Sequence, residues 1–353
     1  MRTDMLVGTY AAADRPGIAL FSMDEGSGAL EKSAEFAGVA NPSFVAVHPS
    51  LIHAYAVSET GLESDGARGA VHAFRIERAH GRFDLVAVNQ RSTGGDHPCH
   101  LAIDGTGCWL AASNYGSGDV AVFPIEPDGR VGEVVAMARH SGSGPRADRQ
   151  AGPHAHSAIF SADGRFMLVA DLGIDRVVVY AHDPSGGSLA RHGDVAASPG
   201  AGPRHMVFLP SGDHLMVVNE LDSSVSLYEY ERREGSLHEL QTLSTVPGGV
   251  TENTAADLRL SPSGSHAYVS NRGHNSVAVF AFDATHGLRR TAVRSCGGAW
   301  PRGLGVAPDG RHLVVANRHS GDISVLPVLA DGADIGEPVA QAPVGQPSSI
   351  TFL

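Results

Sequence analysis

Five segments of this chain repeat one order of features: strand, Gly turn, strand, Asn or Asp, polar turn, strand. They begin at His97, Gly152, Gly202, Ala255 and Trp300, and a weaker copy, NPSFVAVHPSLIHAYAVSE, begins at Asn41. The turn glycines are Gly107, Gly164, Gly212, Gly264 and Gly310, and seven residues after each stands Asn114, Asp171, Asn219, Asn271 or Asn317. The glycines recur at steps of 57, 48, 52 and 46 residues, so the internal offset is constant while the linkers vary. Within each unit, β-branched runs such as DRVVVY and SVAVF are bounded by Asp-Gly, Ser-Gly or Asn turns, the chemistry of strands and hairpins. No stretch sustains a 3.6-residue period. A unit of about fifty residues holding four antiparallel strands is a propeller blade.

Six such units run from Asn41 onward, and the seventh is split. QPSSITFL at the C-terminal end echoes NPSFVAV as a first strand, while MLVGTY, GIALFSM and ALEKSAEF supply the other three. The expected fold is all-β: a single seven-bladed β-propeller domain over 1–353, its split blade formed by about 1–38 plus 346–353. Joining the N- and C-terminal strands in one sheet closes the ring and leaves no open edge. An open β-solenoid is the alternative. WD40 and kelch propellers fit poorly, because no Gly-His…Trp-Asp pairing is present and Trp109 and Trp300 are the only tryptophans. The copy at Asn41 departs from the pattern, since HPSLIHAYAVSE lacks the Asp-Gly turn.

Composition narrows the partners. The 353 residues are 42% hydrophobic, enough for a large core, and the formal charge of −12 argues against nucleic acid or an anionic membrane as a partner. Cys99, Cys108 and Cys296 are odd in number and lack CxxC spacing, so they read as buried small hydrophobes in a reducing compartment. The opening MRTDMLVGTY shows no signal-peptide core, and no apolar run is long enough to span a bilayer, so the expected location is cytoplasmic. Lys32, the only lysine, lies in EKSAEF, which reads as a solvated outer strand, so lysine chemistry is not expected. No GxSxG elbow, phosphate-binding Walker loop or dinucleotide fingerprint is present.

Propeller register converts position into location. The innermost strand of each blade starts at one mouth of the axial channel, and the second strand ends there. The near-constant Asn or Asp at that end is expected to form the turn. One residue beyond it stand Glu59, Tyr115, Leu172, Glu220, Arg272 and Arg318, while inner strands open on Ser43, Cys99, His156, Arg204, Ala256, Arg302 and Ser348. Packing alone would favour similar residues at equivalent places, so a ring of His, Glu and Arg points to a ligand. Each position also has a structural reading. Arg302 and Arg318 would make inter-blade ion pairs, Glu220 would neutralise Arg204 or Arg272, and His154 and His156 would line the channel. Two residues apart on one strand, those histidines share a face and would suit a metal with Glu220 or His205, but no clear third ligand follows, and no metal is expected.

At these residues the chain resembles the lactonase family of seven-bladed propellers. The resemblance rests on SGSGPRADRQAGPHAHS, VADLGIDRVVVY, GPRHMVF, VVNE, VSNRGHNSVAVF and WPRGLGVAPDGRHLVVAN, and runs from VGTY to PSSITF. It implies an active site of one His, two Arg and one Glu, which fall on His156, Arg204, Arg272 and Glu220. It further implies a cofactor-free hydrolase opening a sugar-acid lactone, with 6-phosphogluconolactone the leading substrate. The alternatives are a cycloisomerase acting on a carboxymuconate-like diacid, and a non-catalytic binding platform. For hydrolysis, His156 would be the general base and Glu220 would orient the imidazole or an arginine. Arg204 and Arg272 would take the oxyanion, carboxylate or phosphate. His154, Arg149, His205, Arg302 and Arg318 are the expected substrate-binding residues. A small anionic substrate requires a locally positive mouth on a protein of charge −12.

Overall fold

The repeated glycines perform one backbone task. Gly107, Gly164, Gly212, Gly264 and Gly310 have φ between 69 and 76°, the left-handed region that a tight strand-to-strand turn needs and that glycine enters without steric cost. A computed structural model describes residues 1–79 and 82–353, and among them the strands form seven sheets, each antiparallel. The only helices described are one turn at Leu62–Asp65 and a 3-10 turn at Ala330–Gly332.

The third blade shows the plan. Ala155–Phe160 lies innermost, followed outward by Phe166–Asp171, Arg176–His182 and Leu189–Ala196. The second strand is buried at every residue, because blades pack on both its faces, while the outermost strand alternates toward solvent. Seven apolar clusters fill the spaces between neighbouring blades, one per gap. The inner strands touch in a closed cycle around the axis.

Closure follows the expected split. Pro347–Phe352 is the inner strand of a sheet completed by Arg2–Thr9, Pro16–Asp24 and Leu30–Ala37. Ser348 Oγ donates to the carbonyls of Ser43 and Gly8, and Thr351 Oγ1 donates to that of Val45, tying both chain ends to the first full blade. A Cβ on Gly303 would lie 2.4 Å from the Ser348 carbonyl, so the strands beside the closure approach too closely for a larger residue. The Asn positions act as turn pins: Asn114 Nδ2 donates to Asp119 Oδ1 and Asn317 Nδ2 to Asp322 Oδ1, both spanning the second and third strands. Lys32 is exposed on an outermost strand, as its sequence context suggests. One cysteine departs from expectation. Cys99 and Cys296 are buried, but Cys108 is exposed, because it leaves the Asp104–Gly107 turn on the solvent side. No helix among the described residues is long and apolar enough to cross a membrane.

Candidate active site

A local fault in strand pairing aims the inner-strand side chains. In the second blade, Pro98 pairs with Asn114 and His100 with Ser113, leaving Cys99 as the extra residue of a β-bulge. The same slip isolates His156 between Ala155 and Ser157, Arg204 between Pro203 and His205, and Arg302 between Pro301 and Gly303. A bulged residue leaves the pleat and its side chain is turned away from the alternation of its neighbours. In these four blades the slip turns one inner-strand side chain off the pleat near the same mouth of the channel.

Several of these residues, with several just beyond the second strands, line one cavity of about 290 Å³. Cys99, His156 and Arg302 come from the bulges, Glu59, Tyr115, Glu220, Arg272 and Arg318 from the second strands, and Arg149 from the loop preceding the third blade. Tyr10 is the seventh-blade counterpart of the second-strand set. Thr9 pairs with Pro347 as Asn114 pairs with Pro98, and Tyr10 follows it. Other recesses between blades, including one of about 390 Å³ lined by Phe160, Phe208 and Tyr230, show no comparable convergence of charged groups.

Glu220 is the hub. Its Oε2 accepts from Arg204 Nε at 2.9 Å and lies 2.8 Å from Arg272 Nη2, and its Oε1 accepts from Arg149 Nη2 at 2.6 Å. Burial alone would raise its pKa, but Arg272, Arg204 and Arg149 overcome this and hold the carboxyl far below the usual range. Three guanidiniums occupy its acceptor sites, so Glu220 positions arginines and does not touch an imidazole. Arg204, 1% exposed, is lowered to about 10 by burial and by Arg302 and Arg272. Its Nη1 donates to the Ala256 carbonyl and to His205 Nε2, while His205 Nδ1 donates to Asp257 Oδ1 at 2.8 Å. That tautomer makes His205 neutral, in keeping with a pKa lowered to about 4 by burial and Arg204.

His156 is 4% exposed and lines the cavity. Burial first, then Arg204, His205 and Arg302, push its pKa well below the ordinary value, so the imidazole is neutral. The Cys99 thiol donates to the His156 carbonyl at 3.2 Å, and the sulfur stands 3.7 Å from Nδ1. With its proton used on the carbonyl, the sulfur accepts from Nδ1–H, which leaves the Nε2 lone pair as the basic site. Burial pushes the Cys99 thiol far up, so it stays protonated.

Arg204, expected to grip the substrate, is buried, bonded to Glu220 and the Ala256 carbonyl, and not part of the cavity lining, and two expected substrate contacts also lie elsewhere. His154 stacks on Tyr115 with ring centroids 4.4 Å apart and donates from Nδ1 to the Tyr115 carbonyl, outside the cavity lining. The bulge at His156 interrupts the alternation that would have put both histidines on one face. His205 sits behind Arg204 as its support and does not line the cavity either. Among the described residues, no three His, Cys, Asp or Glu side chains converge as a metal donor set. Arg302 and Arg318 make no inter-blade ion pair among the described residues. Both lie over the Tyr10 ring, at 5.3 and 4.1 Å, and among the described residues Arg302 has no hydrogen-bond partner. Among the described residues, Arg272 Nε is buried without a hydrogen-bond partner.

The family model for a lactonase, 7-bladed β-propeller, matches residues 4–352. The chain belongs to the lactonase family. This lactonase-family chain is 34% identical to a Bacillus subtilis protein named 6-phosphogluconolactonase, over 90% of this chain and 88% of that one. It is 30% identical to a Formosa agariphila protein of the same name, with 91% of each covered. Among solved structures, the periplasmic gluconolactonase PpgL of Pseudomonas aeruginosa superposes with a TM-score of 0.92 at 31% identity, over 100% of this chain and 99% of that one.

Proposed function

We propose that the chain hydrolyses a sugar-acid lactone without a cofactor, with 6-phosphogluconolactone its leading substrate. The observation that carries this reading is the charge arrangement of the axial cavity: four arginines line it against two glutamates, two of the arginines in no ion pair among the described residues, beside a neutral imidazole. On a protein of charge −12, this is a local trap for a small anion. The volume, near the lower end of the roughly 300–1,000 Å³ range of ligand pockets, suits one sugar ring. The exposed large apolar side chains, such as Leu51, Leu240 and Val339, are scattered over different blades, which disfavours a docking platform.

In this mechanism His156 Nε2 takes a proton from water as the oxygen bonds the lactone carbonyl carbon. The negative charge gathering on the carbonyl oxygen is met by Arg302, whose donors are uncommitted. Collapse breaks the ring C–O bond, and the proton on His156 passes to the departing ring oxygen, yielding a hydroxyl and a carboxylic acid, which then releases its proton to solvent as carboxylate. Arg318, at the mouth, takes the phosphate. Burial, and then Arg204 held by Glu220 together with His205 and Arg302, keeps His156 unprotonated. With this substrate the reaction belongs to the pentose phosphate pathway and to the cytoplasm.

The test is the initial rate at which purified protein consumes 6-phosphogluconolactone, corrected for spontaneous hydrolysis, beside glucono-δ-lactone and a carboxymuconate-like diacid. Clear acceleration with the phosphorylated lactone, exceeding that with glucono-δ-lactone, is expected. No acceleration with any lactone defeats the reading, and turnover of the diacid alone would replace it with cycloisomerisation. Arg302→Met keeps side-chain length but removes the donors, and is expected to lower kcat/KM by roughly 10²–10³-fold, the usual effect of losing one oxyanion donor. An unchanged kcat/KM would move the oxyanion role to another arginine.

A further inference from the structure

The two cavity glutamates occupy the same register position in different blades, yet their surroundings are opposite. Glu220 is saturated by guanidiniums, whereas Glu59 makes no ion pair among the described residues and is held by hydroxyls alone. Tyr10 OH donates to its carboxylate, 2.9 Å from Oε2 and 3.1 Å from Oε1, and Ser43 Oγ donates to Oε2. Those donors come from the split blade and from the segment that leads into the inner strand Val45–Val47 of Glu59's own blade, so the carboxylate is fixed from two sides. A carboxylate offers about four lone-pair sites. Two hydroxyl protons leave the remainder available on the wall of the cavity.

The Tyr10 ring stands between this carboxylate and the arginines and keeps them from direct ion pairing. The Arg318 and Arg302 guanidiniums lie over the ring, at 4.1 and 5.3 Å from its centroid, while its hydroxyl grips Glu59. The ring is thus a spacer between one anion and two cations. It splits the cavity into a donor pole of arginines and an acceptor pole at Glu59. A simple anion needs only the first pole. A ligand that satisfies both must carry an acidic or phosphorylated end and hydroxyl donors on the same small ring.

We propose that Glu59, fixed by Tyr10 and Ser43, is the specificity-determining residue that accepts hydrogen bonds from the ring hydroxyls of an aldonolactone and so selects polyhydroxylated lactones over bare ones. This rests on the lactone-hydrolase reading and names its substrate class more closely. Glu59 is half-buried on the cavity wall, and a bound substrate that covers it without offering a hydroxyl leaves the acceptor unpaired, which discriminates against that substrate. No bond is made or broken at Glu59.

The experiment compares kcat/KM for glucono-δ-lactone and δ-valerolactone, which share the six-membered lactone ring and differ in hydroxyl groups and the hydroxymethyl arm. It is run on the wild type, on Glu59→Gln and on Tyr10→Phe, with calorimetric binding of gluconate as a readout independent of turnover. In Glu59→Gln the preference for the hydroxylated ring is expected to fall about 100-fold and gluconate binding to weaken. Tyr10→Phe, which keeps the spacer ring but frees the carboxylate, should show a smaller fall of the same sign. A parallel loss on both lactones in Glu59→Gln overturns the proposal by making Glu59 part of the general machinery, and an unchanged preference overturns it outright. A wild type inactive on every lactone is a different outcome, which defeats the hydrolase reading itself.

Discussion

Replacing His156 with asparagine is expected to lower kcat for lactone hydrolysis by about 10³-fold, within the roughly 10²–10⁴-fold range that a positioned general base supplies. Asparagine keeps a polar group of similar reach at the bulge but cannot take up a proton. The pH profile makes the expectation specific. A base acts only when unprotonated, so kcat/KM should be level above the free-enzyme pKa of His156 and fall below it. Burial, then Arg204, His205 and Arg302, place that pKa well below 6.5, so the wild-type profile should pass through pH 6.5 without an inflection. In Arg302→Met one of those opposing charges is gone, and the acid limb should move upward. Initial rates at each pH, corrected for spontaneous hydrolysis, test both points. An ordinary inflection near 6.5 that vanishes with His156→Asn would mean the imidazole is not shielded as described, and a His156→Asn enzyme of undiminished kcat would remove it from the chemistry.

The second large effect is on folding. Glu220→Gln keeps the shape but replaces the charge shared by Arg204, Arg272 and Arg149, and turns one acceptor into a donor facing guanidiniums. Arg204 and Arg272 are 1% and 6% exposed, so the change strands buried cations, a fault that costs about 3–5 kcal/mol. Chemical denaturation at pH 7 measures it. The folded-state pKa of Glu220 is depressed, so its contribution is fully present above the unfolded value of about 4.5 and is lost as pH falls through the folded one. The gap between wild type and variant should therefore be constant from pH 7 to 5 and narrow below that. The buried histidines act earlier with the same sign. His205 is lowered to about 4, so wild-type stability should begin to decline once pH drops below about 6.5. A gap that widens on acidification, or a Glu220→Gln protein as stable as wild type, would contradict this account of the hub.

The architecture was readable because propeller geometry repeats its demands. The left-handed turn needed Gly107, Gly164, Gly212, Gly264 and Gly310, and the hairpin pin needed Asn or Asp seven residues later, so one constraint was written five times. The cavity was partly readable for the same reason. Where every other blade position is dictated by packing, the irregular residues at His156, Arg204, Glu220, Arg272, Arg302 and Arg318 stood out. Three features were hidden. Tyr10 escaped because its blade is split and Thr9 stands where five blades carry Asn or Asp; pairing VGTY with PSS at the far end of the chain was the signal that would have found it. Alternation placed His154 beside His156, but a bulge is a pairing fault that period-two reasoning does not see. The division of labour between Glu59 and Glu220 was also invisible, since it depends on which neighbouring blade supplies arginines and which supplies a phenol.

The most direct measurement is a crystal structure of the protein with D-gluconate 6-phosphate, the product of the proposed reaction. The bound molecule should lie in the axial cavity, with its phosphate at Arg318, its carboxylate near Arg302 and His156, and its hydroxyls at Glu59. Binding instead in the wider recess lined by Val250, Asn253, His274 and Trp300, or a cavity left empty at saturating ligand, would contradict the claim that the ring gathers these distant side chains around one substrate.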